Sequence, residues 1–228
     1  SEYPELDHIL VRHEQGASHA ADGFSRVSGK TGVCFATSGP GATNLITGMA
    51  TAFMDSSPMI AITGQVSRPG IGKDSFQEID ITGASLPVTK HNYLVMNAEE
   101  IPKILKEAFI IANTGRPGPV LIDIPRDVFI EEFDFDSNFW GEEIKILGYN
   151  PPKFAENSKI DSALKLIEQS KKPVILAGHG IIISRAYDEL LELAENAQIP
   201  VVTTLLGISS FPENHVLSLS FPGMHGVA

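Results

Sequence analysis

The sequence is poor in several things. It has one cysteine, Cys34, one tryptophan, and 7% aromatic residues over 228 positions. A lone cysteine excludes an internal disulfide, and a reduced, cytoplasmic setting follows most simply. Basic residues are outnumbered: 17 Lys and Arg face 28 Asp and Glu, for a net charge of −11. Clustered cations are what neutralise phosphates, so no nucleic-acid partner is expected. No apolar run approaches the ~20 residues of a membrane helix, and no basic-then-apolar leader opens the chain. The longest candidate, 173–183, is interrupted by Gly178-His179-Gly180. No membrane association is expected. What is present is 43% hydrophobic and 20% charged, enough to bury a core.

Patterning alternates between two periods. Apolar residues recur at helical spacing over 16–28, 41–54 and most clearly 98–112, where Ile101, Ile104, Leu105, Ala108, Ile111 and Ala112 share a face. Between them, 32–37, 59–63 and 119–124 read as apolar strands, with shorter ones expected at 8–11 and 92–95. The strands lack period-2 alternation, as burial on both faces predicts. The order implies an α/β fold with a parallel sheet. Residues 134–157 break the rhythm with Trp140, Gly141, Gly148, Pro151 and Pro152. The pattern restarts with helices at 159–169 and 186–197 and strands at 174–177 and 200–203. We therefore expect a first domain over 1–138, a linker over 139–157 and a second, Rossmann-like domain over 158–228. Both domains read as incomplete, because the opening strand has no element before it and the second pattern lacks a closing helix.

Ser38-Gly39-Pro40-Gly41-Ala42-Thr43-Asn44 follows a strand and opens a helix, where backbone N–H groups can face a ligand. It is a poor dinucleotide fingerprint, since Asn44 stands at the third glycine position and Pro40 removes a donor. A plain strand-to-helix turn explains it equally well. Gly29-Lys30-Thr31 is not a phosphate loop, because Phe24 stands where that motif needs its first glycine. His8, His13 and His19 do not have the spacing of a helical metal pair. Glu14 opens a helix at the edge where α/β sites form, and as a lone residue reads as a helix-start acid stabilised by the macrodipole.

The blocks taken together resemble a known family. Arg12-His13-Glu14-Gln15-Gly16-Ala17, Ala20-Ala21-Asp22-Gly23-Phe24 and Thr37-Ser38-Gly39-Pro40-Gly41-Ala42-Thr43-Asn44 resemble the pyrimidine-binding domain of thiamine-diphosphate enzymes. Ile62-Thr63-Gly64-Gln65-Val66, Asp74-Ser75-Phe76-Gln77-Glu78, Thr89-Lys90-His91-Asn92-Tyr93, Gly115-Arg116-Pro117-Gly118 and Ile124-Pro125-Arg126-Asp127 resemble the acetolactate (acetohydroxyacid) synthase large subunit in particular. Thr203-Thr204-Leu205-Leu206-Gly207 and Gly223-Met224-His225-Gly226 resemble its flavin-binding middle domain. The resemblance spans nearly the whole chain in a fixed order. It falls short of the sister families, pyruvate oxidase, glyoxylate carboligase and sulfoacetaldehyde acetyltransferase, in the Phe76-Gln77-Glu78 and Thr89-Lys90-His91-Asn92 blocks. A non-catalytic nucleotide-binding module is the other alternative.

The resemblance implies roles. Glu14 would hydrogen-bond the aminopyrimidine ring of thiamine diphosphate and promote the imino tautomer that activates the cofactor, with a raised pKa. Pro40 and Asn44 would shape the pyrimidine pocket. Gln77 would sit near the reacting carbonyl, with Phe76 and Lys90 along the substrate approach and Gln65 behind them. Ser56, Arg116, Gly178, Gly180, Thr204, Leu205, Met224 and His225 would lie near FAD. The substrates implied are pyruvate and 2-ketobutyrate, in branched-chain amino-acid biosynthesis. The magnesium that holds the diphosphate would be bound by a third domain outside this sequence, so no metal ligand is expected here. A homodimer or homotetramer, with a small regulatory subunit as a further partner, is the implied assembly. The 228 residues alone are expected to bind the cofactor weakly and not to turn over.

Overall fold

The structure, a computed structural model, describes residues 7–224 and 226. His225 lies outside the described residues. The chain forms two compact units, one running through Lys153 and one from Phe154.

The first unit is built in the order α1 (Glu14–Ser28), β1 (Gly32–Ala36), α2 (Pro40–Asn44), α3 (Ile46–Asp55), β2 (Met59–Gln65), α4 (Ile81–Ser85), β3 (His91–Leu94), α5 (Ile101–Asn113) and β4 (Pro119–Pro125). The four strands form a parallel sheet in the order β1-β2-β4-β3. Its two central strands are buried along nearly their whole length. One face packs Ile60, Ile62, Val120 and Ile122 against Ala108, Ile111 and Ala112 of α5. The other packs Met59, Ala61 and Leu121 against Ala21, Leu45, Met49 and Ala52. Removing side chains such as Leu45, Met59, Ile60 and Leu121 from water stabilises the fold by about 1.5–3 kcal/mol each.

Local chemistry sets the ends of α1. The His13 ring accepts from the Gln15 N–H at 3.1 Å, and Gly29 closes the helix at φ 67°. Ser25 then binds the chain around it. Its hydroxyl donates to Pro58 O at 2.6 Å and accepts from the Gly32 N–H at 2.8 Å. Helices α1 and α3 cross closely because Gly48 has no side chain. A Cβ there would lie 2.2 Å from Ser18 Oγ.

Three expectations are corrected. Residues 8–11 form no strand, and Ile9 and Leu10 are 88% and 90% exposed. A strand needs a ladder partner, and none lies beside them among the described residues. The expected helix over 41–54 is two helices that meet at Leu45. The edge strand β1 is open on one side, with Val33 42% and Phe35 64% exposed, so its burial alternates. Residues 139–149 pack on the first unit: the Lys106 ammonium is held by the carbonyl oxygens of Phe139, Trp140 and Glu142, and Ile146 and Tyr149 lie against its core.

The second unit holds α6 (Asn157–Gln169), β5 (Ile175–Ala177), α7 (His179–Ser184), α8 (Tyr187–Ala197) and β6 (Val201–Thr203). Strands β5 and β6 pair in parallel. Ala177, Leu190, Ala194, Val201 and Phe211 form its small core. The short helices α4 and α7 lie below the length at which periodicity is readable.

Candidate active site

The carboxyl edge of a parallel sheet is where strand-to-helix turns present backbone and helix N-termini to a ligand. Here that edge gathers Glu14, the Gly39-Pro40-Gly41 turn, Asn44 and Gln77. Glu14 is the first residue of α1 and is partly buried. The Asn44 amide donates to its Oε2 at 3.0 Å across 30 positions of sequence. That bond, followed by the backbone N–H of Glu14 itself, holds the carboxyl below its ordinary pKa. The raised pKa expected for Glu14 is therefore not what the protein's own groups produce. A donated amide hydrogen favours the carboxylate, and burial opposes it only weakly.

The glycines let this edge pack closely. Gly39 has φ 60°, a conformation that penalises any side chain, and a Cβ on it would meet Gln77 O at 2.7 Å and Gln77 Cβ at 2.9 Å. A Cβ on Gly41 would meet Thr37 Cγ2 at 2.7 Å and lie 3.4 Å from Glu14 Oε1. Gln77 is exposed and itself has φ 58°. Phe76 is 88% exposed.

Two side chains anchor the segment that carries Phe76 and Gln77. The Glu78 carboxylate accepts from the Ser75 N–H at 2.8 Å and from the Gly72 N–H, and these bonds hold its pKa down. Asp80 caps α4 by accepting from the Gly83 N–H at 2.8 Å.

Lys90 is elsewhere. It precedes β3, at the amino edge of the sheet, and its backbone N–H donates to Pro119 O. Its ammonium donates to Ile111 O, to Thr114 O at 2.7 Å and to the Tyr149 hydroxyl at 3.3 Å. It satisfies carbonyls at the end of α5, and within this chain the fold does not bring it to Glu14. A cation that does lie at the carboxyl edge is Arg126, directly after β4. It lines a cleft of about 340 Å³ with Thr37, Ser38, Gly64, Gln65 and Phe129. Its position just past an almost wholly apolar strand was the sequence signal available for it.

Ser56 and Arg116 come together, also at the amino edge. The guanidinium donates to Ser56 Oγ at 2.8 Å and to Met54 O at 2.9 Å, closing the end of α3, where Ser56 has φ 62°. In the second unit, Gly178 and Thr204 are neighbours beyond the ends of β5 and β6, and the Thr204 N–H donates to Ala177 O at 2.9 Å. Gly180 has open space at its Cα, Leu205 is 69% exposed and Met224 92% exposed.

Residues 1–84 match the family described as thiamine pyrophosphate enzyme, N-terminal TPP binding domain, and residues 160–228 match its central domain. A protein of Methanocaldococcus jannaschii described as a probable acetolactate synthase large subunit is 56% identical over 222 residues, covering 97% of this chain and 38% of its own. The acetolactate synthase large subunit of Corynebacterium glutamicum is 54% identical over 96% of the chain and 34% of its own. The acetolactate synthase of Arthrospira platensis is 53% identical over 98% of the chain and 38% of its own. The chain thus spans little more than a third of the relatives it resembles. With the parallel sheet, the Gly-Pro-Gly turn and Glu14 at one edge, these matches place the chain in the thiamine pyrophosphate enzyme family, beside the acetolactate synthase large subunits.

Proposed function

We propose that this chain supplies the pyrimidine side of the active site of an acetolactate synthase large subunit. The reaction proposed joins a two-carbon unit from pyruvate to a second pyruvate or to 2-ketobutyrate. The observation that carries the reading is the Glu14 carboxylate, held by Asn44 and set against Gly41 of the Gly39-Pro40-Gly41 turn, on which Gln77 rests. Thiamine diphosphate, when bound, supplies a nucleophilic carbon and an electron sink for decarboxylation.

In this reading, Glu14 holds a proton at the ring nitrogen that faces its carboxylate. Covering that carboxylate with an aromatic ring removes water from it and raises its pKa toward the ring's, which is what proton sharing requires. Asn44 keeps the carboxyl group aimed while leaving Oε1 toward Gly41. Pro40 fixes the backbone of the turn and Gln77 presents an amide to a carbonyl oxygen. Phe76 shields the substrate from water, and the Arg126 guanidinium attracts a keto-acid carboxylate. Lys90 has no role at the reacting atoms.

FAD, magnesium, a dimeric or tetrameric assembly, a regulatory subunit and a cytoplasmic location belong to the same proposal. Ser56 with Arg116, and Gly178, Gly180, Thr204, Leu205 and Met224, are the proposed flavin contacts. Among the described residues no helix is long and apolar enough to cross a membrane. The domain limits proposed are 1–138, 139–157 and 158–228.

The test is product identity. The full-length protein, given pyruvate, thiamine diphosphate, magnesium and FAD, is expected to yield acetolactate as its main product. Acetyl phosphate, a different carboligation product, or no consumption of pyruvate would overturn the reading.

A further inference from the structure

One ionisable group lies inside the first unit and takes no part in the chemistry above. Asp123 is 1% exposed, near the carboxyl end of β4, and stands opposite Thr63 in the ladder. Its Oδ1 accepts from the Thr63 hydroxyl at 2.7 Å and its Oδ2 from Gln65 Nε2 at 2.9 Å. The second Nε2 hydrogen of Gln65 goes to Ile79 O at 2.7 Å, and its Oε1 accepts from the Val66 N–H at 2.9 Å. The Gln65 amide is thus fully engaged at both ends and has one orientation. Ile79 follows Gln77 by two residues, and Gln77 rests against Gly39. A chain of contacts therefore runs from the sheet interior to the catalytic edge: Asp123, Gln65, Ile79, Gln77, Gly39.

A core position occupied by a carboxylate is costly, and an apolar residue would serve the sheet better. Every neighbour of Asp123 along β4 is apolar. Burial pushes its pKa up to about 6, with Asp80 the charged group adding to that effect. The interior tolerates this group, and what the group does is orient Gln65.

We propose that Asp123 is a positioning residue that acts through Gln65 to hold the Gln77 segment against the glycine turn. This deepens the reading of the site as a thiamine-dependent centre and rests on it for its effect on turnover. Charge is not what Asp123 provides. A neutral group with an acceptor toward Gln65 does the same, because the Thr63 hydroxyl can turn and accept.

The test uses the full-length protein and two readouts. One is amide hydrogen exchange across residues 75–81, which needs no activity. The other is kcat and KM for pyruvate. Asp123→Ala and Gln65→Met are each expected to speed exchange in that segment and lower kcat, on the order of tenfold, the equivalent of one lost buried hydrogen bond. KM is expected to move less than kcat. Asp123→Asn is expected to restore both readouts to near the parent values. If Asp123→Ala does not fold, Gln65→Met carries the same test. Parent-like exchange in both disruptive variants would overturn the proposal, as would an Asp123→Asn protein as impaired as Asp123→Ala. A parent protein that makes no acetolactate would sink the functional reading alone, since exchange would still report whether Asp123 holds the segment.

Discussion

Consider what Asp123→Asn does to stability as pH changes. In the native protein the carboxyl sits at about 6 rather than 3.8, because burial penalises the charged form more than its two hydrogen bonds stabilise it. The folded chain therefore holds this proton over a range in which the unfolded chain has released it. Stability must fall as pH rises through that range. A displacement of about 2 pH units corresponds to roughly 3 kcal/mol, complete by about pH 7 and absent below about pH 4. Asparagine has the same shape, keeps an acceptor for Gln65 and never ionises. The variant is thus expected to gain on the parent by up to about 3 kcal/mol as pH rises from about 4 to about 7. Titrating groups other than Asp80, which couples to Asp123, act equally on both proteins and cancel in the difference. Denaturant unfolding of the pair at four or five pH values gives the curve. Two parallel stability profiles would refute the reasoning, and so would a gap that widens toward acid.

Three further outcomes follow from the packing. Gly48→Ala pushes a methyl into Ser18 where α1 and α3 cross, and should cost about 1–3 kcal/mol or more in an unfolding titration. Lys90→Met removes the ammonium donor of the Ile111 and Thr114 carbonyls and leaves them the Tyr149 hydroxyl. It should lower stability by about 1–3 kcal/mol while leaving the KM for pyruvate of the folded enzyme unchanged. A raised KM would put Lys90 back in the site. Burial lifts the Cys34 thiol to about 12, so alkylation at neutral pH should track global unfolding and not a native-state reaction.

Much of the first unit was legible because its core elements are long and uniformly apolar. The buried strands β2 and β4 and the amphipathic α5 appear as runs and stripes that no other structure would require. The edges were harder. The sequence of β1 is as apolar as that of β2, yet one side of β1 is open, since strand order is not written in local periodicity. The position of Lys90 was hard to read for a related reason. Its block resembles the family, but a block does not reveal which edge of the sheet it ends on. The structure puts it before a strand and Arg126 after one, and in a parallel sheet that difference sets the edge on which each lies. Asp123 was visible as the single charge inside Pro119-Val120-Leu121-Ile122-Asp123-Ile124-Pro125. Its meaning depends on Thr63 and Gln65, about 60 positions away, which only the ladder register brings beside it. Glu14 and Asn44 are likewise joined only by the fold, though both stood out as motif residues.

The central claim is that Glu14 activates the cofactor. The most direct measurement is the exchange rate of the C2 proton of thiamine diphosphate bound to the full-length protein, followed by NMR in heavy water for the parent and for Glu14→Gln. Removing a general acid–base group from this position should slow exchange by about 10²–10⁴-fold while unfolding and the fold's circular dichroism stay unchanged. An exchange rate in Glu14→Gln close to that of the parent would contradict the account.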